Sequence, residues 1–190
     1  MDILWRGDAD RASLESFIAH SYVRAYGARI THYADQLVGL RGTDGTWLAG
    51  LGYTFAGSER LFIEQYLDEP VEEAIGSMLS VRVEREQIVE VGNLAASASG
   101  AARRLIVYMT RLLHELHRTW VVFTSTRALL NSFARLEIAT IPLGTADPSR
   151  LPDGGASWGS YYATGPQVMT ANIPLGFIHL DCRHAAMQSA

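Results

Sequence analysis

The chain has no lysine; all 16 of its basic residues are arginine. No Schiff base can form on it, which excludes self-contained pyridoxal phosphate chemistry, and no Walker phosphate loop can be completed. Cysteine is almost as scarce: a lone Cys182 supports neither an internal disulfide nor a thiolate metal cluster. The six histidines show no HExxH or comparable spacing, so no metal is expected, and a nucleophile-elbow hydrolase is not expected either. A net charge of -4 with scattered arginines provides no basic field, which excludes nucleic acid as a partner. No apolar run approaches the roughly 18 residues needed to span a bilayer. The acidic start, with Asp2, Asp8 and Asp10 around Arg6, lacks the order of a signal peptide. A cytoplasmic protein without stable membrane insertion is expected.

What is present fits one domain over residues 1–190, with 48% apolar residues. Leu14, Phe17, Ile18, Tyr22 and Val23 recur at helical spacing and predict an amphipathic helix over 9–26, ending at Tyr26-Gly27. Gln36–Leu40 and Thr46–Phe55 are strand-like and flank an Asp44-Gly45 turn signal, which predicts an antiparallel hairpin. Arg60–Tyr66 is another strand candidate, followed by a short helix from Pro70 to Leu79. Ile88, Val89 and Val91 predict a buried strand; Leu105, Ile106, Met109, Leu112, Leu113 and Leu116 predict a helix over 100–118. A strand at Trp120–Thr124 and a helix at Thr126–Leu136 complete a strand-helix-strand-helix unit, hence parallel central strands in a mixed sheet. Residues 142–157, rich in proline and glycine, are expected to form a loop, Trp158–Ala163 and Gln167–Ile173 a pair of strands, and the tail after His184 to fray.

Between the central strand and its helix, Ala95 to Ala102 offers little side-chain bulk, so backbone N–H groups can approach a ligand. Ser97 or Ser99 can cap the helix. Ser99, Gly100 and Ala101 thus form a candidate anion-binding loop at a helix N-terminus. Glu90 is a carboxylate inside an otherwise apolar strand, where it must be paired, hydrogen-bonded or shifted in pKa. It is the first candidate for general-base chemistry, with Glu64 of the nearby acidic cluster the second. Asn93 at the strand exit, and Thr124, Ser125 and Thr126 at the matching end of the next strand, converge on one end of the sheet. Trp47, Tyr53, Phe55, Phe62, Phe123, Trp158, Tyr161 and Tyr162 are the aromatic residues from which a pocket can draw.

Four motifs in order, Leu61–Glu73 (LFIEQYLDEPVEE), Ile88–Ala96 (IVEVGNLAA), Trp120–Thr126 (WVVFTST) and Trp158–Tyr162 (WGSYY), resemble the thermostable haemolysin family over nearly the whole chain. That family is similar to the acyl-homoserine lactone synthases and, more distantly, to the GNAT acyltransferases. The resemblance implies an α/β (α+β) fold: a mixed central sheet flanked by helices, with a cleft between two splayed strands. Val89 to Ala95 is similar to the Glu-x-Ser-Arg-Phe strand of the lactone synthases, with Glu90 at the carboxylate position and Gly92-Asn93 in place of Ser-Arg. Thr54 stands where haemolysin relatives usually carry arginine. The GNAT pyrophosphate loop is matched only by Gly100 to Ala102.

By this resemblance the substrate is S-adenosylmethionine, acting as an electrophile and releasing methylthioadenosine, with no tightly bound cofactor. Tyr26, Asn93, Phe123, Thr124, Ser125 and Trp158 would bind it and Glu90 or Glu64 would take a proton. Two outcomes fit: acylation with lactone formation, or closure of the aminobutyrate arm alone, of the 1-aminocyclopropane-1-carboxylate type. The missing arginine and the incomplete loop favour S-adenosylmethionine without an acyl donor. The alternative is a GNAT-type N-acyltransferase drawing on coenzyme A or on an acyl or peptidyl carrier protein. A membrane-acting haemolysin is a third reading, carried by the family name alone. Monomer and homodimer are both open.

Overall fold

The computed structural model describes residues 1–97 and 99–188; of Ser99 and of residues 184–188 only the backbone is described. Seven strands form one sheet: β1 (Asp2–Leu4), β2 (Gln36–Arg41), β3 (Trp47–Phe55), β4 (Ile88–Ala96), β5 (Trp120–Ser125), β6 (Ile141–Thr145) and β7 (Gln167–Asn172), in the order β1-β2-β3-β4-β5-β7-β6. Only β4 and β5 run parallel, as their crossover through a helix requires; every other pair is antiparallel. The helices are α1 (Arg11–Tyr26), α2 (Val71–Leu79), α3 (Ser99–Glu115), α4 (Arg127–Leu136) and α5 (Ile173–Gln188). The mixed sheet flanked by helices agrees with the sequence reading.

The two largest cores lie on opposite faces of the sheet. On one face Val38, Leu51, Tyr53 and Val89 pack against Leu105, Met109 and Leu113 of α3 and Ile173 of α5. On the other, Ile88, Val122 and Val168 pack against Leu61, Ile63, Tyr66, Val71 and Ile75. Alternation along β4 therefore sends Val89 toward α3, and Ile88 and Glu90 toward the opposite layer.

Several expectations are corrected. Phe62–Gln65 is a 3-10 turn, not a strand. The N–H groups of Leu61 and Val71 go to the Glu64 carboxylate and that of Phe62 to Glu90, so they are not available to a ladder. Trp158–Ala163 is likewise not a strand. It lies in 3-10 turns broken at Gly159, whose φ of +53° no strand residue adopts, and its rings pack on one another instead of alternating. Residues 141–145 form strand β6, where Pro142 is tolerated because the strand is at the sheet edge. Strand β7 runs directly into α5, so the tail is helical to Gln188. Pro174 sits in the first turn of α5, where its missing N–H costs nothing.

The small-residue stretch is also reassigned. Ala95 and Ala96 extend β4 and pair with Gly50 and Ala49. The small side chain of Ala95 makes room for α1: Leu14, Ile18 and Ala95 share a core, and a Cβ on Gly50 would lie 2.6 Å from Leu14 Cδ1, while Ala96 packs on the α3 side. Ser97 does not cap α3, since its hydroxyl donates to the carbonyl of Leu48. Ala98 and the side chain of Ser99 lie outside the described residues.

Candidate active site

The parallel ladder between β4 and β5 has three rungs, Ile88↔Trp120, Val89↔Val121 and Glu90↔Val122, and then stops. Beyond Glu90 the first strand stays paired with β3 and the second with β7, so the two diverge. The divergence is reinforced by a bulge. Two steps along β3, Gly50 to Gly52, face three along β4, Gly92 to Ala95, and Asn93 takes a left-handed φ of +55° that asparagine tolerates. A cleft of about 710 Å³ opens in the gap.

One end of the cleft is aromatic, lined by Tyr22, Tyr26, Phe62, Tyr66, Trp158 and Tyr161. Tyr161 packs edge-on to Tyr26 at 5.2 Å and tilted on Trp158 at 5.3 Å; Phe62 is 5.9 Å from Trp158. Tyr66 meets Tyr162 hydroxyl to hydroxyl at 2.5 Å. Burial pushes the phenols of Tyr22, Tyr66 and Tyr161 up, which keeps them neutral. Glu59, Arg60, Arg29 and His32 line the mouth. The other end passes to the helical side of the sheet and is apolar, lined by Met109, Leu113, Phe123, Leu129, Phe133 and Ile138.

Glu90 stands on the last rung, between these ends. It is 8% exposed, and its Oε2 accepts the N–H of Phe62 at 2.7 Å. Among the described residues no arginine pairs with it. Burial pushes its carboxyl up to about 7; the N–H groups of Phe62 and Ile63 oppose this, and the charges of Glu64 and Glu59 add to it. Such a group exchanges protons near neutrality, the property a general base needs.

Glu64 does not line the cleft. Its two oxygens engage the Arg85 guanidinium at 2.7 and 2.9 Å and also accept the N–H groups of Leu61 and Val71, so no lone pair is offered to a substrate. Burial raises its pKa, but the Arg85 hydrogen bonds and the two backbone N–H groups outweigh that and hold it below the usual range.

Tyr26, Asn93, Phe123, Thr124 and Trp158 all line the cleft. The Asn93 amide is spent on its roof, donating to the carbonyl of His32 at 3.3 Å and accepting the N–H of Ala34 at 3.4 Å. Arg11 holds the same segment through the carbonyls of Ala34 and Asp35. Ser125 does not reach the cleft; its buried hydroxyl donates to the carbonyl of Thr126, a residue that does line it. Gly100 and Ala101 are not at the wall, and Ala101 is packed into the α3 core. Of the aromatic residues singled out, Phe62, Phe123, Trp158 and Tyr161 line the cleft, while Trp47, Tyr53, Phe55 and Tyr162 do not. Tyr22, Arg29 and His32 come from α1 and the segment after it, and no local pattern announces them.

Gly155-Ala156-Ser157-Trp158-Gly159 matches Gly-x-Ser-x-Gly in letters, but a nucleophile elbow needs a strand-to-helix turn and here the segment forms 3-10 turns. Among the described residues no three His, Cys, Asp or Glu side chains group as a metal site, and no helix is long and apolar enough to cross a membrane.

The fold is close to that of acyl-homoserine lactone synthases and of a GCN5-related N-acetyltransferase from Kribbella flavida. TofI, solved in a ternary complex with an inhibitor and MTA, superposes with a TM-score of 0.61 at 10% identity over 95% of each chain. FeeM, an N-acyl amino acid synthase from uncultured soil microbes, gives 0.60 at 13% identity, covering 93% of this chain and 97% of its own. MesI, a CoA-dependent acyl-homoserine lactone synthase, gives 0.58 at 12%, covering 96% and 94%. The chain belongs to the thermostable hemolysin family, whose model matches residues 5–177. No curated protein matches the sequence.

Proposed function

We propose that this chain is an enzyme that binds S-adenosylmethionine in the aromatic end of the cleft and an acyl chain in the apolar end, and joins them at Glu90. The observation that carries this is the position of Glu90, a buried carboxylate with no arginine partner among the described residues, between two compartments of opposite chemistry. Electron-rich rings such as Tyr22, Tyr26 and Trp158 suit both an adenine and a sulfonium cation. The apolar end is more than a methionine-derived substrate needs. It changes the sequence-based preference, which dispensed with an acyl donor.

In the proposed reaction Glu90 takes a proton from the substrate ammonium. The freed amine attacks the acyl thioester carbon, an amide forms, and the thiol leaves. Glu90 returns its proton to the departing thiolate; the carboxylate oxygen of the aminobutyrate arm, or its α-carbon after giving its proton to Glu90, then attacks the γ-carbon, the C–S bond breaks, and methylthioadenosine departs with the electron pair. A carboxylate titrating near 7 is matched to the first proton transfer.

The test is incubation with S-adenosylmethionine, with and without octanoyl-CoA, followed by mass spectrometry. Methylthioadenosine and an N-acyl product formed only with the thioester support the proposal. Methylthioadenosine formed equally well without it favours ring closure alone. No turnover and no binding of S-adenosylmethionine or methylthioadenosine would sink the reading.

A further inference from the structure

The wall of the apolar compartment includes a glycine for which the backbone has no need. Gly176 lies inside α5, buried, and lines the cleft on the side of the sheet opposite the Glu90 carboxylate. Its φ is not in the left-handed region. A Cβ placed on it would sit 3.6 Å from Thr110 Cγ2 and 3.7 Å from Ile138 Cγ2, both ordinary contacts. Alanine would fit there and would favour the helix more than glycine does. What glycine leaves at this position is space in the cleft wall.

The surroundings make that space apolar. Thr110 donates its hydroxyl to the carbonyl of Ile106 in its own helix at 2.9 Å and so turns its methyl toward Gly176. Ile138 is buried beside it, and Phe133 and Met109 complete the wall. A polar substrate would leave hydrogen bonds unmade here, whereas a hydrocarbon terminus loses nothing.

We propose that Gly176, with Thr110 and Ile138, sets the length of the apolar chain this cleft accepts. The assignment rests on the reading of the apolar end as an acyl site and adds its specificity determinant. Each side-chain carbon added at position 176 removes room for chain, and each methylene turned away weakens binding about fourfold.

The experiment compares the wild type with Gly176→Ala and Gly176→Leu by calorimetric titration with butanoate, octanoate and dodecanoate, alongside thermal unfolding. Gly176→Ala should melt at or above the wild-type temperature and prefer the shorter of the chains that the wild type binds. Gly176→Leu should bind the longest chain at least tenfold more weakly while keeping its affinity for the shortest; if this variant does not fold, the alanine variant alone decides. Binding by all three proteins with the same length preference would overturn the role of Gly176 and leave the acyl site standing. No binding of any chain to the wild type would overturn both.

Discussion

The amide N–H of Phe62 donates to Glu90 Oε2 at 2.7 Å, so the carboxylate at the split in the sheet is aimed by a 3-10 turn of the layer that covers it. This one bond ties the acid, the aromatic wall and the end of the parallel ladder together. It also explains how a carboxylate is kept in the interior without a cation.

Glu90 costs stability when ionised. Its folded-state pKa, about 7, lies above the ordinary value of 4.5, so the folded chain holds the proton more tightly and stability falls as pH rises through that window. The ionised group then costs about 3 kcal/mol. Glu90→Gln keeps an acceptor for Phe62 and removes the charge. Its melting temperature should exceed that of the wild type at pH 8 and equal it near pH 4.5, while turnover falls by about 10²–10⁴. A melting difference independent of pH would refute the assignment.

Glu64→Gln should behave in the opposite way. It breaks a two-point ion pair with Arg85 and leaves the guanidinium, among the described residues, with Glu72 as its one carboxylate beside the carbonyls of Ala56 and Glu59, which costs about 3 kcal/mol. The lowered pKa of Glu64 means that its contribution is present at neutral pH and is lost as pH falls through its folded-state value. Below the melting transition kcat should stay within about twofold of wild type; a loss as large as that of Glu90→Gln would place Glu64 in the chemistry after all.

Gly159 faces a backbone that cannot yield. A Cβ there would lie 2.1 Å from the carbonyl oxygen of Tyr26, the same oxygen that accepts the N–H of Ser160 at 2.8 Å. Gly159→Ala should destabilise by more than about 2 kcal/mol. Gly27→Ala, at a similar φ but with open space around it, should cost only about 1 kcal/mol. Thermal unfolding of the pair compares an ordinary left-handed site, Gly27 at ψ 17°, with one where a clash adds to a backbone region closed to alanine, Gly159 at ψ -124°.

Asn93 carries two functions that substitutions can separate. Asn93→Gly relieves the left-handed backbone but cuts the bonds to His32 and Ala34; Asn93→Ala loses both and should be about 1 kcal/mol less stable than the glycine variant. Both should speed amide hydrogen exchange over residues 29–35. Unchanged exchange there would mean that Arg11, with the contacts of Arg29 to Ser157 and Tyr33 to Glu15, holds the roof without Asn93.

The elements legible in the sequence are those whose signals are local. The hairpin around Asp44-Gly45, the periodic α3 and the strand-helix-strand unit appear as expected, because the period of apolar residues reports directly which face is buried. Glu90 was legible for a similar reason, as a charge where the strand pattern calls for an apolar residue. Phe62–Gln65 and Trp158–Tyr162 were not. Their apolar and aromatic composition suits a strand, but their conformation is decided by distant partners: Glu90 for the first and Tyr26 for the second. Helix α5 was hidden because β7 enters it without a loop and Pro174 and Gly176 blur its period. The small residues before α3 looked like a cradle for a ligand and instead receive a helix, a choice made by Leu14, some eighty residues earlier.

Among the described residues only three rungs, the last of them at Glu90, join β1–β4 to β5–β7 within the sheet. The sheet thus has the shape of a caliper with its acid at the pivot: a change in the gap between the jaws would also change the bearing of the carboxylate.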